Sequence, residues 1–217
     1  MGPIGATAAS RSSNTIANNS DGTLYFAYGS NLSTSQMRDR CPQSTPVALA
    51  RLPGWKWIIN TRGVANIVRD TDPPRSPTKW PILAWNPLPL LPLISRSPRR
   101  REDDDENDDE KGVFGVLYRL HPQDEAALDD CEGVPYIYER QFLEVMRLPA
   151  PGAAKTHIQM QHSTVKVLVY VDTDDTETGP PRSEYVGRMN RAVDEAVAEW
   201  GLPRAYADGV IRPRISA

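Results

Sequence analysis

The order of elements in this chain predicts an α+β fold, a small and mostly antiparallel β-sheet or barrel packed by flanking helices. Two observations lead there. Seven short runs rich in β-branched and aromatic residues read as strands, several with period-two alternation. Helical segments fall singly among them, which does not match the regular strand–helix repeat of a parallel sheet. A third observation bounds the domain: once two segments poor in buriable surface are set aside, about 150 residues remain, enough for one core.

Residues 1–22 are mostly small and polar, with too few bulky apolar groups to offset the entropy of ordering a backbone. They are expected to form a disordered tail, ahead of a single domain over residues 23–212. The first strand is Leu24–Tyr28, followed by a helix at Ser33–Arg40. Strands come next at Pro46–Arg51, Trp55–Asn60 and Val64–Val68, with Pro53-Gly54 turning the chain between the first two. After Val113–Leu120 a helix spans Pro122–Glu132; Pro122 suits its first turn and Gly133 the position just past its end. The last strands are Ile137–Leu148 and Val165–Asp172, the second alternating Val167, Val169 and Val171 with Lys166, Leu168 and Tyr170. Tyr185, Met189, Val193, Val197 and Trp200 recur at helical spacing, so Glu184–Trp200 is a helix, with Ser183 before it and Gly201 and Pro203 after it.

Residues 72–111 interrupt this pattern. Pro73 to Arg101 holds eight prolines and six basic residues, and Glu102 to Glu110 has eight acids in nine positions. Proline at that density excludes helix and central strand, and like charges in a block repel. The run Trp80–Ile94 is too short to span a bilayer, with four prolines in fifteen residues. The whole segment is expected to be a disordered insertion between two strands.

A formal charge of −3 without a basic, aromatic-interleaved stripe argues against a nucleic-acid partner. Cys41 and Cys131 form neither a disulfide framework nor a CxxC pair, and His121, His157 and His162 lack metal-ligand spacing. His157 and His162 read as solvent-facing residues around a turn. Pro3 and Ala6 do not suit myristoylation, and no apolar stretch marks a secretory signal. Residues 1–20 lack acids, as a mitochondrial presequence would, but Arg11 is their sole basic residue. A reduced, cytoplasmic, soluble protein is expected.

Two motifs carry chemistry. In Tyr28-Gly29-Ser30-Asn31, glycine permits unusual backbone angles and close ligand approach, and successive N–H groups at a helix start can hold an anion. The same tetrapeptide also reads as an ordinary strand–turn–helix junction capped by Asn31 or Ser33. Ser30 is a poor nucleophile candidate, lacking G-x-S-x-G flanks and an evident activating histidine. Glu132 falls at the negative end of its helix, beside Asp129 and Asp130. Helix dipole, neighbouring acids and burial would each raise its pKa, which suits a general base that must also return its proton. It reads equally as one more exposed acid on a polar helix end.

Taken together and in this order, the motifs resemble the γ-glutamylcyclotransferase family, with its AIG2-like fold. The resemblance rests on Tyr25-Phe26-Ala27-Tyr28-Gly29-Ser30-Asn31-Leu32, Gly63-Val64-Ala65-Asn66-Ile67, Val113-Phe114-Gly115-Val116-Leu117-Tyr118 and Leu128-Asp129-Asp130-Cys131-Glu132-Gly133-Val134. Tyr138 resembles the tyrosine that follows the family's E-G-V, and Tyr185 the one opening its last helix. The similarity covers roughly residues 23–70 and 112–212; the Pro-rich and acidic stretch departs from the family pattern.

The resemblance implies a small β-barrel with flanking helices and a site needing no metal or other cofactor. Glu132 would be the catalytic acid/base. Tyr25, Phe26, Ala27, Tyr28, Gly29, Ser30 and Asn31 would cradle a γ-glutamyl group, and Tyr185 would touch the ligand. The implied reaction is attack of the substrate's own α-amine on its γ-carbonyl, giving 5-oxoproline and a free amino acid or amine. Asn31, where glutathione-specific relatives carry leucine, favours the general γ-glutamyl amino acid class. Removal of a γ-glutamyl group from a biosynthetic intermediate would use the same residues, and a non-catalytic binding module of the same fold is the alternative from another class. The expected partner is a small γ-glutamyl molecule, with no nucleic acid or membrane and with a homodimer left open. Deleting Pro73–Glu110 is expected to leave a soluble, active protein; precipitation in a solubility and turnover assay would show that the segment belongs to the core.

Overall fold

Strands form where the apolar runs predict them: β1 (Thr23–Ala27), β2 (Thr45–Leu52), β3 (Trp55–Ile59), β4 (Ala65–Arg69), β5 (Val113–Leu120), β6 (Glu139–Arg147) and β7 (Thr164–Val171). The helices are α1 (Thr34–Arg40), α2 (Pro122–Glu132) and α3 (Ser183–Trp200). This computed structural model describes residues 22–70, 111–150 and 163–216. The expected tail apart from Gly22, the expected insertion apart from Lys111, and His157 and His162 lie outside the described residues.

Five strands close into a barrel in the order β1–β5–β2–β6–β7. Neighbours are antiparallel, except that β1 meets β7 in parallel through Tyr25 and Leu168. The expected small, mostly antiparallel barrel with helices on its outside is therefore the observed architecture. Closure also explains a departure from simple alternation in β7. Val167, Leu168, Val169, Tyr170 and Val171 are all buried, because one face fills the barrel and the other is covered.

Strands β3 and β4 stand apart as a two-stranded hairpin, with Trp57 opposite Ile67. The hairpin is tied to the barrel by polar groups at its tip. Asp172, fully buried at the end of β7, receives the Arg62 guanidinium at 2.7 Å and the Asn60 amide at 3.1 Å. The Asn66 side chain donates to the Asp172 carbonyl at 2.8 Å and accepts from its N–H at 3.1 Å. Gly63 turns the tip with φ +77°, and a Cβ there would lie 2.8 Å from the Arg182 nitrogen. The chain just before α3 thus crosses directly over the hairpin, with Arg182 N–H donating to the Gly63 carbonyl at 3.0 Å.

Helix α3 buries the stripe its spacing predicts, with Tyr185, Met189, Ala192, Val193 and Ala196 inside, and ends at Gly201 with φ 71°. It begins one residue before the expected Glu184, with Arg182 rather than Ser183 in the capping position. Helix α2 keeps its predicted bounds, ending at Gly133 with φ 66°. The expected strand Ile137–Leu148 starts only at Glu139. Before that, the Tyr136 and Ile137 amides both donate to the Gly133 carbonyl and hold the chain in a turn.

A further helical run, Arg204–Tyr206, Ala207–Ile211 as a π turn and Arg212–Ile215, follows α3. Pro203, Gly209 and Pro213 mask it in the sequence, yet Tyr206, Ile211 and Ile215 are buried and Tyr206 packs on Phe114 at 4.8 Å. Helix therefore continues past residue 212.

Replacing Asp172 with alanine should cost about 3 kcal/mol, the low end for breaking a buried ion pair, since Arg62 remains a third exposed. Denaturant unfolding measures this; a loss under about 1 kcal/mol, the scale of an exposed pair, would mean the cluster does not anchor the hairpin.

Candidate active site

Strand β1 ends at Ala27 and the chain turns at Tyr28 and Gly29 into a three-residue 3₁₀ turn, Ser30–Leu32. Gly29 has φ −105° and ψ −143°, outside the positive-φ region. It supplies space: a Cβ there would meet the Tyr185 hydroxyl at 3.1 Å and the Ala65 Cβ at 3.3 Å. Of the two expected caps, Ser33 is the one used. Its hydroxyl accepts from the Gln36 amide at 3.0 Å and so starts α1.

Asn31 is thereby free for another task. It is buried, and its Nδ2 donates to the Tyr25 hydroxyl at 3.1 Å and to Glu132 Oε1 at 3.3 Å. Its Oδ1 accepts from Gln36 Nε2 at 2.9 Å and from the Arg40 guanidinium at 3.2 Å. The turn near the beginning of the chain and the acid at the end of α2, 101 residues apart, meet in one place.

They share a cavity of about 190 Å³, with Tyr25, Asn31, Glu132, Tyr185 and the two cations Arg40 and Arg188 in its wall. That is below the size of sites for drug-like ligands and suits an amino-acid-sized group. Tyr28, Gly29 and Ser30 also line it. Phe26 and Ala27 do not; both are wholly buried in the core, which corrects the expectation that every residue from Tyr25 to Asn31 faces a ligand.

Glu132 is partly exposed as a residue, but its carboxyl end lies in the cavity. Burial raises its pKa above the ordinary 4.5, opposed by the positive charge of Arg40, the Asn31 hydrogen bond and the charge of Arg188. The neighbouring acids expected to contribute do not. Asp129 binds Arg140 at 2.6 Å and accepts from the Tyr170 hydroxyl at 2.7 Å, while Asp130 is exposed. With Arg140 also on Glu125, these contacts clamp α2 against β6 and β7 and so fix where Glu132 emerges.

Five tyrosines surround the carboxyl. Burial holds Tyr25, Tyr28, Tyr138 and Tyr170 above the usual phenol range, reinforced by the charge of Glu132 at the first three and chiefly by Asp129 at Tyr170. Tyr185 is pushed up to about 12, mainly by burial, with the backbone amides of Ala65 and Ser30 pulling the other way. All five are neutral hydroxyls near neutral pH. Most are anchored: Tyr28 donates to the Tyr170 carbonyl at 2.7 Å and Tyr138 to the Ala65 carbonyl at 3.0 Å. The wall is thus rigid, polar at its hydroxyl tips and low in dielectric elsewhere.

Residues 112–210 match the profile of the AIG2-like family, a span that contains α2 and Glu132. That match covers just under half of the chain. No curated protein matches it in sequence. Among solved structures it is similar to an uncharacterized protein from Homo sapiens, at 22% identity and TM-score 0.55, covering 87% of this chain and 86% of the other. A protein named γ-glutamyl cyclotransferase gives 21% identity and TM-score 0.55, with 86% and 85% covered. YkqA from Bacillus subtilis gives 18% identity and TM-score 0.52; the chain covers 87% of its own length but about half of YkqA, 53%. At these identities the likeness shows a common fold.

The sequence alone points to the acid and the turn but not to Arg40, Arg188 and Tyr170. Arg188 had a usable signal, since it lies three residues after Tyr185 on the same helix and so shares its face. Tyr170 had one too, as an aromatic interrupting the aliphatic run of β7. Arg40 closes α1 and had none.

Because the folded-state pKa of Glu132 is raised, the folded protein binds more protons than the unfolded chain above about pH 4.5. Its contribution to stability is present below that pH and is lost as pH rises through the folded-state value. Glu132→Gln removes this dependence, so the melting temperature of the variant relative to the parent should rise between pH 4.5 and pH 8. Parallel thermal melts at the two pH values check this; a relative fall would contradict a raised pKa.

Proposed function

We propose that this protein is a γ-glutamylcyclotransferase that releases 5-oxoproline and a free amine from a γ-glutamyl amide. The observation that carries the reading is the hydrogen bond from Asn31 to Glu132, which joins turn and acid in one amino-acid-sized cavity. The shared fold with a protein named γ-glutamyl cyclotransferase supports it.

The chemistry lies within the substrate. The α-amine and γ-carbonyl are on one molecule, and ring closure forms a five-membered lactam. Holding the folded conformer can lower the barrier by roughly 7–11 kcal/mol, the range for well-oriented intramolecular reactions. The amine arrives protonated. Glu132, ionised but with raised basicity, removes that proton, and the free amine attacks the γ-carbonyl carbon. Backbone N–H groups of the Tyr28–Asn31 turn and the tyrosine hydroxyls stabilise the developing charge. The tetrahedral intermediate expels the amide nitrogen, which takes the proton back from Glu132; the ring nitrogen gives its second proton to the departing amine, which leaves as an ammonium. Glu132 ends ionised, as it began, and no other reagent is consumed.

Asn31 keeps the carboxyl pointed inward through this cycle. Its single hydrogen bond to Oε1 leaves Oε2 for the substrate. The positive charges of Arg40 and Arg188 oppose the rise of its pKa that burial causes.

Incubation with γ-glutamyl-alanine should yield 5-oxoproline and alanine in equal amounts. Glu132→Gln should lower turnover by about 10²–10⁴, the usual scale for a general acid–base group. The acid limb of the parent's kcat/KM profile should fall at a midpoint above 4.5. Near-normal turnover in the variant would remove Glu132 from this role, and no 5-oxoproline from the parent would leave a non-catalytic binding module.

A further inference from the structure

We infer that Glu195 of α3 is a positioning residue for Glu132, acting from outside the cavity by holding the start of α1 against the Asn31 turn. Its part in turnover rests on the proposed cyclotransferase reading; its part in the geometry does not. Glu195 lies roughly 15 Å beyond Tyr185 along α3 and does not line the cavity. Its carboxylate instead gathers the first residues of α1. Ser33 Oγ donates to Oε2 at 2.8 Å, the Ser35 amide donates to Oε2 at 3.0 Å, and Ser35 Oγ donates to Oε1 at 2.6 Å. Burial works against a charge there, but these hydrogen bonds and the nearby Arg191 outweigh it and hold the carboxyl below the ordinary 4.5. Glu195 is therefore ionised near neutral pH.

A helix of seven residues is too short to hold its own shape in water, so tertiary ties set where α1 lies. Carboxylates on two other helices tie its two ends. Asp124 of α2 accepts from the Gln43 amide at 2.8 Å and the Ser44 hydroxyl at 2.7 Å, just past the end that carries Arg40. Glu195 ties the other end, which carries Gln36. Met37 is buried and Thr34 accepts from Trp200 Nε1 at 3.0 Å, so α1 stays docked without Glu195. Neither contact restrains the Ser33 hydroxyl or the Ser35 amide, which Glu195 holds.

The first turn of α1 carries a grip on Asn31. Gln36 Nε2 donates to Asn31 Oδ1 at 2.9 Å and to Ser30 Oγ at 3.0 Å. A side-chain amide can face either way; this donor keeps its oxygen here and its NH2 toward Glu132. Gln36 is itself placed through its backbone amide, which donates to the same Ser33 Oγ that Glu195 holds. Glu195, Ser33, Gln36, Asn31 and Glu132 thus form one chain of contacts. Burial raises the pKa of Glu132, and the Asn31 hydrogen bond is among the groups opposing it. Losing the tie weakens that bond and lets the pKa rise further. The other groups facing Glu132 keep their places: Arg40 by the Asp124 tie, and Arg188, Tyr185, Tyr25, Tyr28, Tyr138 and Tyr170 because α1 does not carry them.

NMR titration of side-chain carboxyls, with the Glu132 signal identified by its loss in Glu132→Gln, tests this independently of turnover. In Glu195→Ala the Glu132 midpoint should move up from the parent's. Its kcat for γ-glutamyl-alanine should fall by about tenfold, within the roughly 10²-fold that a misplacement of about 1 Å can cost. Glu195→Gln keeps an oxygen for the Ser35 amide and should stay close to the parent in both. Ser35→Ala removes one bond from an exposed side chain and should move the midpoint the same way by less. A folded Glu195→Ala with the parent's Glu132 midpoint overturns the assignment, even if its melting temperature drops. Glu195→Gln shifted as far as Glu195→Ala overturns it too. Should Glu195→Ala fail to fold, an unmoved midpoint in Ser35→Ala overturns it instead. A parent that yields no 5-oxoproline while the midpoints move as stated strikes down the cyclotransferase reading and leaves the positioning role standing.

Discussion

A carboxyl group inside a cavity is held by the hydrogen bonds it accepts, and here Asn31 donates one to Glu132 Oε1. Asn31 uses both Nδ2 hydrogens, on Tyr25 and Glu132, and its Oδ1 accepts from Gln36 and Arg40. Four side chains from β1, α1 and the end of α2 therefore converge on a single buried residue. The arrangement holds the acid in the cavity without fully neutralising the cost of burying it, so basicity is raised while the group stays ionisable. An apolar residue at position 31 would remove the hydrogen bond to Glu132 Oε1 and those shared with Tyr25, Gln36 and Arg40.

The rest of the fold serves that contact. Barrel closure brings β1 beside β7, so that Tyr25 and Tyr170 meet edge to face at 5.5 Å. Arg140 and Tyr170 together hold Asp129, fixing the last turn of α2 and hence the exit of Glu132. The separate hairpin contributes Val64 and Ala65 to the opposite wall and is fastened by the Asp172 cluster. Gly29 allows Tyr185 to close the remaining side. A rigid cavity of this kind suits a reaction whose difficulty lies in holding one conformer of a flexible substrate.

Much of the architecture was legible in the chain because each element announces itself locally. Period-two strands, the Pro122 and Gly133 boundaries of α2 and the 3.6-residue stripe of α3 all depend on near neighbours. What the sequence concealed depends on distant ones. The C-terminal run to Ile215 carries helix-breaking residues that tertiary burial of Tyr206 and Ile211 overrides. Asp129 looked like a repulsive neighbour of Glu132 until Arg140 and Tyr170, far along the chain, were seen to occupy it. The purpose of Gly29 lay likewise in the approach of Tyr185 rather than in its own backbone angles. Arg40 and Arg188 are ordinary surface-type residues by sequence; only the assembled cavity sets them apart.

The central claim is that Glu132 and the Tyr25–Asn31 turn act on one substrate. A crystal structure of the Glu132→Gln variant soaked with γ-glutamyl-glycine tests it most directly. The account predicts the ligand in this cavity, folded so that its α-amine lies within hydrogen-bond reach of the residue 132 side chain and its γ-carbonyl faces the Tyr28–Asn31 turn. A ligand bound elsewhere, or seated here with its amine turned away from residue 132, would contradict it.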